Sequence, residues 1–142
     1  MVEVDRWGKE YASYNLQLCD DNAQAEGVGN VVFQKEDATA LPFEDETFDV
    51  VTSNYVYHNI VGADKQALIL ETLRTLKKGG TFAIHDLMTP RRYGDIYAFA
   101  DRLRAMGYER VEILDTTDDL FLPHGQAVPL SLEGSKLLIG RK

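Results

Sequence analysis

Cysteine is almost missing from the chain, with Cys19 standing alone. One cysteine excludes an intrachain disulfide and a thiolate metal cluster, and it points to a reducing compartment. Basic charge is also scarce: 15 Lys and Arg face 23 Asp and Glu, for a net charge of -8. The local basic pairs, Lys77-Lys78 and Arg91-Arg92, are too short to track a phosphate backbone, so no nucleic-acid partner is expected. No apolar run is long enough to span a bilayer, and Met1 to Asp5 carries neither the basic nor the apolar stretch of a secretion signal. A cytoplasmic protein without a membrane partner is the expectation. The histidines, His58, His85 and His124, lack ligand spacing with any acid or with Cys19, so no metal site is expected.

What is present suits one globular domain over residues 1–142, with 44% apolar and 27% charged residues and room for a real core. Val2-Glu3-Val4-Asp5 reads as the end of a strand closing on an acid. Helical spacing follows from about Lys9 to Glu26, with Tyr11, Tyr14 and Leu18 on one face and Gly27 as the stop. Val31-Val32-Phe33 is a strand that delivers Asp37, and Phe48 to Thr52 is another that delivers Ser53-Asn54. A helix over Asp64 to Lys78 places Ile69, Leu70, Leu73 and Leu76 on one face, with Lys77-Lys78 suiting its carboxyl end and Gly79-Gly80 ending it. Thr81 to Ile84 is a buried strand delivering His85-Asp86. A further helix runs from about Gly94 to Met106, with Ile96, Phe99, Ala100, Leu103 and Met106 inward and Gly107 as its stop. Tyr108 to Leu114 and Lys136 to Gly140 are the last strands, expected to pair antiparallel at one edge. Between them, Asp115 to Ser135 reads as a surface loop or lid.

This alternation predicts a mostly parallel α/β sheet with helices on both faces. In such sheets, ligands bind outside the carboxyl ends of the strands. Those ends carry Asp5, Asp37, Ser53-Asn54 and His85-Asp86, all polar. Polar residues after strands are also what ordinary loops supply, so the rim alone leaves both explanations open.

The ordered set Val4-Asp5-Arg6-Trp7, Glu26-Gly27-Val28, Asp37-Ala38, Leu41-Pro42-Phe43, Phe48-Asp49-Val50-Val51, His58-Asn59-Ile60 and Leu76 to Gly80 resembles the class I S-adenosylmethionine-dependent methyltransferases, which are Rossmann-like. The resemblance implies S-adenosylmethionine as cofactor and a small-molecule or protein substrate. It implies that Asp5 binds the ribose hydroxyls with Arg6 and Trp7 along the nucleoside, that Asp37 and Ala38 read the adenine, and that Ser53 and Asn54 face the methionine part. His58, Asn59, His85 and Asp86 would form the substrate rim, with His58, His85 and Asp86 as acid–base candidates if the acceptor must lose a proton.

The family's first strand and glycine-rich turn have no counterpart here. Gly27-Val28-Gly29 precedes a strand, and Gly79-Gly80 ends a predicted helix. With adjacent strands about 4.8 Å apart, the missing central strand leaves a slot nearly twice that width. Direct closure, a second chain in the slot, or an N-terminally shortened piece would each answer it. The shortened piece is the expectation, and the exposed edge favours a homo-oligomer. Structural roles stand beside the functional ones: Asp5 as a helix cap, Asp37 as a turn acid before Pro42, Trp7 as packing, and His58-Asn59 and His85-Asp86 as partners of backbone groups. Two other functions compete with methyl transfer. One is a non-catalytic remnant acting as an association module; the other is a nicotinamide dehydrogenase, which would need a glycine fingerprint the chain lacks.

Overall fold

A computed structural model describes residues 1–8, 13–117, 121 and 123–142. The chain divides into two compact units, Met1–Pro42 and Phe43–Lys142.

In the first unit, β1 (Val2–Asp5) pairs parallel with β2 (Val32–Lys35), Asp5 lying opposite Lys35. Helix α1 (Leu16–Ala25) connects them. Asn15 caps it by accepting from Leu18 N at 2.9 Å, so the helix starts later than its apolar spacing predicts. Residues 9–12, where that helix was expected to begin, lie outside the described residues. Tyr14 precedes the helix and is exposed, and no α1 side chain is buried.

The second unit holds a four-stranded sheet in the order β3-β4-β6-β5. Here β3 is Phe48–Asn54, β4 is Leu76–Leu87, β5 is Glu109–Asp115 and β6 is Ser135–Arg141. β3 and β4 run parallel, whereas β6 is antiparallel to both β4 and β5. The antiparallel pairing of the last two strands is as expected, and β6 additionally inserts between β5 and β4. The strands of the two units form separate sheets, β1-β2 in the first and β3-β4-β6-β5 in the second.

Helices α2 (Lys65–Arg74) and α4 (Ile96–Ala105) supply the core. Leu68, Ile69 and Leu73 of α2, and Ile96, Phe99, Ala100 and Leu103 of α4, are buried at helical spacing with Val51, Phe82, Ile84, Val111 and Leu138 of the strands. Asp64 and Asp95 cap the two helices, each accepting from two backbone N–H groups. Met106 falls outside α4 and is 57% exposed, contrary to its predicted inward position. A one-turn helix, α3 (Pro90–Tyr93), intervenes before α4, and α5 (His124–Ala127) lies in the segment between β5 and β6.

The largest correction concerns the end of α2. The helix stops at Arg74, and Leu76 to Gly80 belong to β4. Lys77 and Lys78 therefore do not complement the helix dipole; Lys77 Nζ reaches Asp49 of β3 at 2.9 Å. The last turn carries Arg74, and Lys142 adds a second cation from the far end of the chain, its Nζ donating to the carbonyls of Leu73 and Leu76 at 3.0 and 2.7 Å. Gly80 belongs to the strand for steric reasons: a Cβ there would lie 2.8 Å from Asp49 O and 2.9 Å from Lys77 O.

Candidate functional site

In the second unit, polar groups gather at the carboxyl ends of β3 and β4. Both strands run further than predicted: Ser53-Asn54 are the last residues of β3, and His85-Asp86 lie within β4, just before its final residue Leu87. Alternation along β4 then sends Asp86 inward and His85 to the opposite face. Asp86 is fully buried. Its Oδ1 accepts from His58 Nδ1 at 2.6 Å and from Leu87 N at 2.6 Å, and its Oδ2 accepts from His58 N at 3.1 Å. An acceptor-only carboxylate assigns the Nδ1 position a proton and leaves the lone pair of His58 on Nε2. His58 is 16% exposed, and its Nε2 has no hydrogen-bond partner among the described residues.

His85 is a different kind of histidine. Its Nδ1 lies 3.0 Å from Asn54 Oδ1 and its Nε2 lies 2.9 Å from Thr116 Oγ1, so both ring nitrogens are engaged. Burial pushes its pKa below the ordinary value, against the opposite pull of Asp86. Of the predicted acid–base candidates, the structure thus joins His58 to Asp86 and ties His85 to the sheet rim. Asn59 is exposed and donates Nδ2 to Tyr55 O at 3.1 Å, which fits the backbone-satisfying role.

Three contributors were not singled out from sequence: Tyr55, Thr116 and Ser135. Thr116 and Ser135 flank the long β5–β6 segment, and Thr116 N donates to Ser135 O at 3.1 Å. Tyr57 and Tyr93 are buried in the core of the same unit. Tyr57 Oη meets Thr72 Oγ1 at 2.6 Å, while Tyr93 Oη and Ser53 Oγ are buried without a hydrogen-bond partner among the described residues. Tyr93 nonetheless feels the Asp86 charge, which adds to burial in pushing its phenol pKa up.

In the first unit, Asp5 ends β1 and Asp37 follows the end of β2, on the same edge of one parallel pair. Glu36 N donates to Asp5 O at 3.0 Å, which fixes that edge. Asp5 Oδ1 accepts from Trp7 N at 2.9 Å, so it orders its own loop rather than capping α1. Asp37 Oδ1 accepts from Thr39 N at 2.8 Å and Thr39 Oγ1 at 2.7 Å. Those two bonds, with the Arg6 charge nearby, hold the Asp37 carboxyl below the usual carboxylate range. Both acids are exposed. The turn-acid role of Asp37 is real, and it presents an oriented carboxylate. Two oriented carboxylates on one strand edge fit the hydroxyl and amino donors of an adenosine. Trp7 adopts a left-handed backbone (φ 39), and Arg6 and Ala38 flank the acids. Among the described residues there is no acid, histidine or cysteine cluster able to hold a metal.

The methyltransferase-domain family matches residues 5–84, more than half of the chain. The chain belongs to this family. An uncharacterized methyltransferase, YcgJ of Bacillus subtilis, is 36% identical over 75 residues, covering 53% of this chain and 29% of the relative. A ubiquinone/menaquinone biosynthesis C-methyltransferase of Shewanella piezotolerans is 40% identical over 79 residues, covering 51% of this chain and 30% of the relative. The match therefore spans less than a third of the length of these curated relatives. Among solved structures, that of YcgJ aligns over 99% of this chain and 81% of its own, with TM-score 0.61 and 19% identity. A Haemonchus contortus phosphoethanolamine N-methyltransferase in complex with S-adenosyl-L-methionine aligns over 89% of this chain and 40% of its own, with TM-score 0.64 and 17% identity. The [4+2]-cyclase SpnF aligns over 99% and 66%, with TM-score 0.67 and 18% identity. At such identities the neighbours establish the Rossmann-like methyltransferase fold, and a cyclase among them shows that the fold does not dictate the reaction. S-adenosylmethionine is the methyl donor of this family. No helix among the described residues is long and apolar enough to cross a membrane.

Proposed function

We propose that the protein transfers a methyl group from S-adenosylmethionine to an acceptor that must give up a proton, on a small molecule or a protein. The observation that carries this reading is the His58-Asp86 pair: a fully buried carboxylate holds Nδ1 at 2.6 Å while Nε2 has no partner among the described residues. When bound, the cofactor supplies a methyl group already activated by a sulfonium. Alignment is then the larger task, an effect that reaches about 7–11 kcal/mol in well-oriented reactions. His58 Nε2 takes the acceptor's proton, and Asp86 holds the ring in the tautomer that leaves Nε2 free. Asp5 accepts from the ribose hydroxyls with Arg6 and Trp7 along the nucleoside, and Asp37 with Ala38 reads the adenine. Ser53 and Asn54 serve the methionine part, and Asn59 and His85 line the substrate rim. We place the protein in the cytoplasm on the strength of its single, unpaired cysteine. The outer edge of β3, last in its sheet, supports association with a second copy.

Calorimetric titration with S-adenosylhomocysteine and, separately, adenosine tests the cofactor assignment. The expected result is tight binding of the first and weaker binding of the second. Asp5→Asn should weaken the first by roughly tenfold or more, since a hydrogen bond to a charged group is worth about 1.5–3 kcal/mol. Absence of binding to either compound overturns the assignment. Methyl-labelled donor incubated with a pool of phenols and enols tests the transfer itself. Replacing His58 by Gln should cut incorporation by about 10²–10⁴-fold, the usual contribution of a general base.

A further inference from the structure

Tyr55 is the first residue beyond β3, and its backbone lies in the left-handed region at φ 52. A bulky aromatic is disfavoured there and persists only where its surroundings over-determine it. Those surroundings are visible at every polar atom. Tyr55 N donates to His85 O at 2.8 Å, and Tyr55 O accepts from Asn59 Nδ2 at 3.1 Å. Tyr55 Oη lies 2.8 Å from Ser135 Oγ. Ser135 donates its own hydroxyl proton to Leu132 O at 2.7 Å, so the Tyr55 phenol is the donor in that pair.

The ring held in this way contacts two imidazoles. Its centroid is 4.7 Å from that of His85 at an interplanar angle of 56°, and 6.1 Å from that of His58 at 86°. His85 is immobilised through both nitrogens, and Tyr55 through its phenol and backbone. Among the described residues, the His58 ring is by contrast hydrogen-bonded only at Nδ1, leaving rotation about its last torsion to be limited by packing.

We propose that Tyr55 is a positioning residue for His58: its ring, clamped by Ser135 and backed by His85, holds the imidazole edge-to-face so that the bond from Nδ1 to Asp86 persists. This inference rests on the reading of His58 as the base. The strained backbone after β3 is then the means by which a strand end swings an aromatic ring across the rim to meet His58. The competing account makes Tyr55 a packing residue that closes the sheet end and leaves His58 indifferent to it.

The two accounts differ in one observable that needs neither cofactor nor acceptor. In the full chain labelled at histidine, the solvent-exchange rate of the His58 Nδ1 proton reports how firmly the ring is held. Tyr55→Leu should speed that exchange by roughly two- to tenfold, the range matching the coupling of an edge-to-face aromatic pair. Tyr55→Phe keeps the ring but loses the Ser135 clamp, and its rate should fall between those of the wild type and Tyr55→Leu. An unchanged rate in Tyr55→Leu, with the backbone amides of β3 and β4 still protected, overturns the proposal. Should Tyr55→Leu fail to fold, the wild-type protein decides: slow flipping of the Tyr55 ring with cross-relaxation to His58 supports the assignment, and a freely flipping ring without it overturns it. Because exchange is read without turnover, a His58→Gln variant that still transfers methyl groups would end the base assignment and leave the Tyr55 result intact. The reverse pattern would end only the Tyr55 assignment.

Discussion

Two tyrosines buried side by side in the core carry opposite hydrogen-bond accounts. Tyr57 Oη is paired with Thr72 Oγ1 at 2.6 Å, whereas Tyr93 Oη has no partner among the described residues. Removing one partner of a buried pair leaves the other unsatisfied, at about 1–3 kcal/mol, while removing an orphan hydroxyl loses no bond. Tyr57→Phe should therefore lower the unfolding free energy by about 1–2 kcal/mol in urea, and Tyr93→Phe should leave it unchanged or slightly raised. A loss in Tyr93→Phe as large as in Tyr57→Phe would show that Tyr93 has a partner, with Asp86 the nearest charge. His85 makes a pH prediction of definite sign. Burial holds its folded pKa below the ordinary value of about 6.5, so the unfolded chain binds the proton more readily. Its contribution to stability is complete above that ordinary value and is lost as pH falls through the lowered folded one. Melting temperature should drop between pH 7.5 and pH 5, and His85→Gln should flatten that part of the profile.

At the scale of elements, the two long helices of the second unit are set by their caps as much as by their buried faces. Asp64 satisfies Gln66 N and Ala67 N, and Asp64→Ala should cost about 1 kcal/mol, with the loss visible in chemical denaturation. A cost near zero would mean that packing alone sets the start of α2. The buried faces of α2 and α4 were legible because their apolar residues recur at helical spacing. The end of α2 was not, because the two features that decide it are remote in sequence. Lys142 donates to the carbonyls at the helix end, and the backbone of Asp49 excludes a side chain at Gly80. Lys77-Lys78-Gly79-Gly80 has the composition of a helix terminus, and tertiary contacts made it a strand. The candidate site shows the same division. Asp5, Asp37 and Asp86 could be picked out because a polar residue at a strand end is a local signal, and His58 because His58-Asn59-Ile60 is part of the family-like set of motifs. Tyr55, Thr116 and Ser135 meet only through a loop closing over tens of residues, and no local pattern announces that.

For the whole molecule, the contrast between the two units is the decisive property. Every buried side chain among the described residues belongs to Phe43–Lys142, while Met1–Pro42 has none, α1 included. A segment of about 40 residues rarely supports its own fold without disulfides, metal or association, and the lone Cys19 offers no crosslink. Its β1–β2 pair nevertheless carries Asp5 and Asp37, the acids assigned to the adenosine. Regions with little buried apolar surface open at low free energy, and a ligand that binds only the closed form stabilises it by mass action. Amide hydrogen exchange should therefore be fast across residues 2–5 and 32–35 and slow across β3, β4 and β6 of the free protein. Saturating S-adenosylhomocysteine at about 100 times its dissociation constant should slow exchange in β1 and β2 by up to about 100-fold, with little change in the already protected strands. Equal protection of both units in the free protein would instead mean that something other than its own core holds Met1–Pro42 together. A second copy of the chain is the first partner to test in that case, by light scattering across a dilution series.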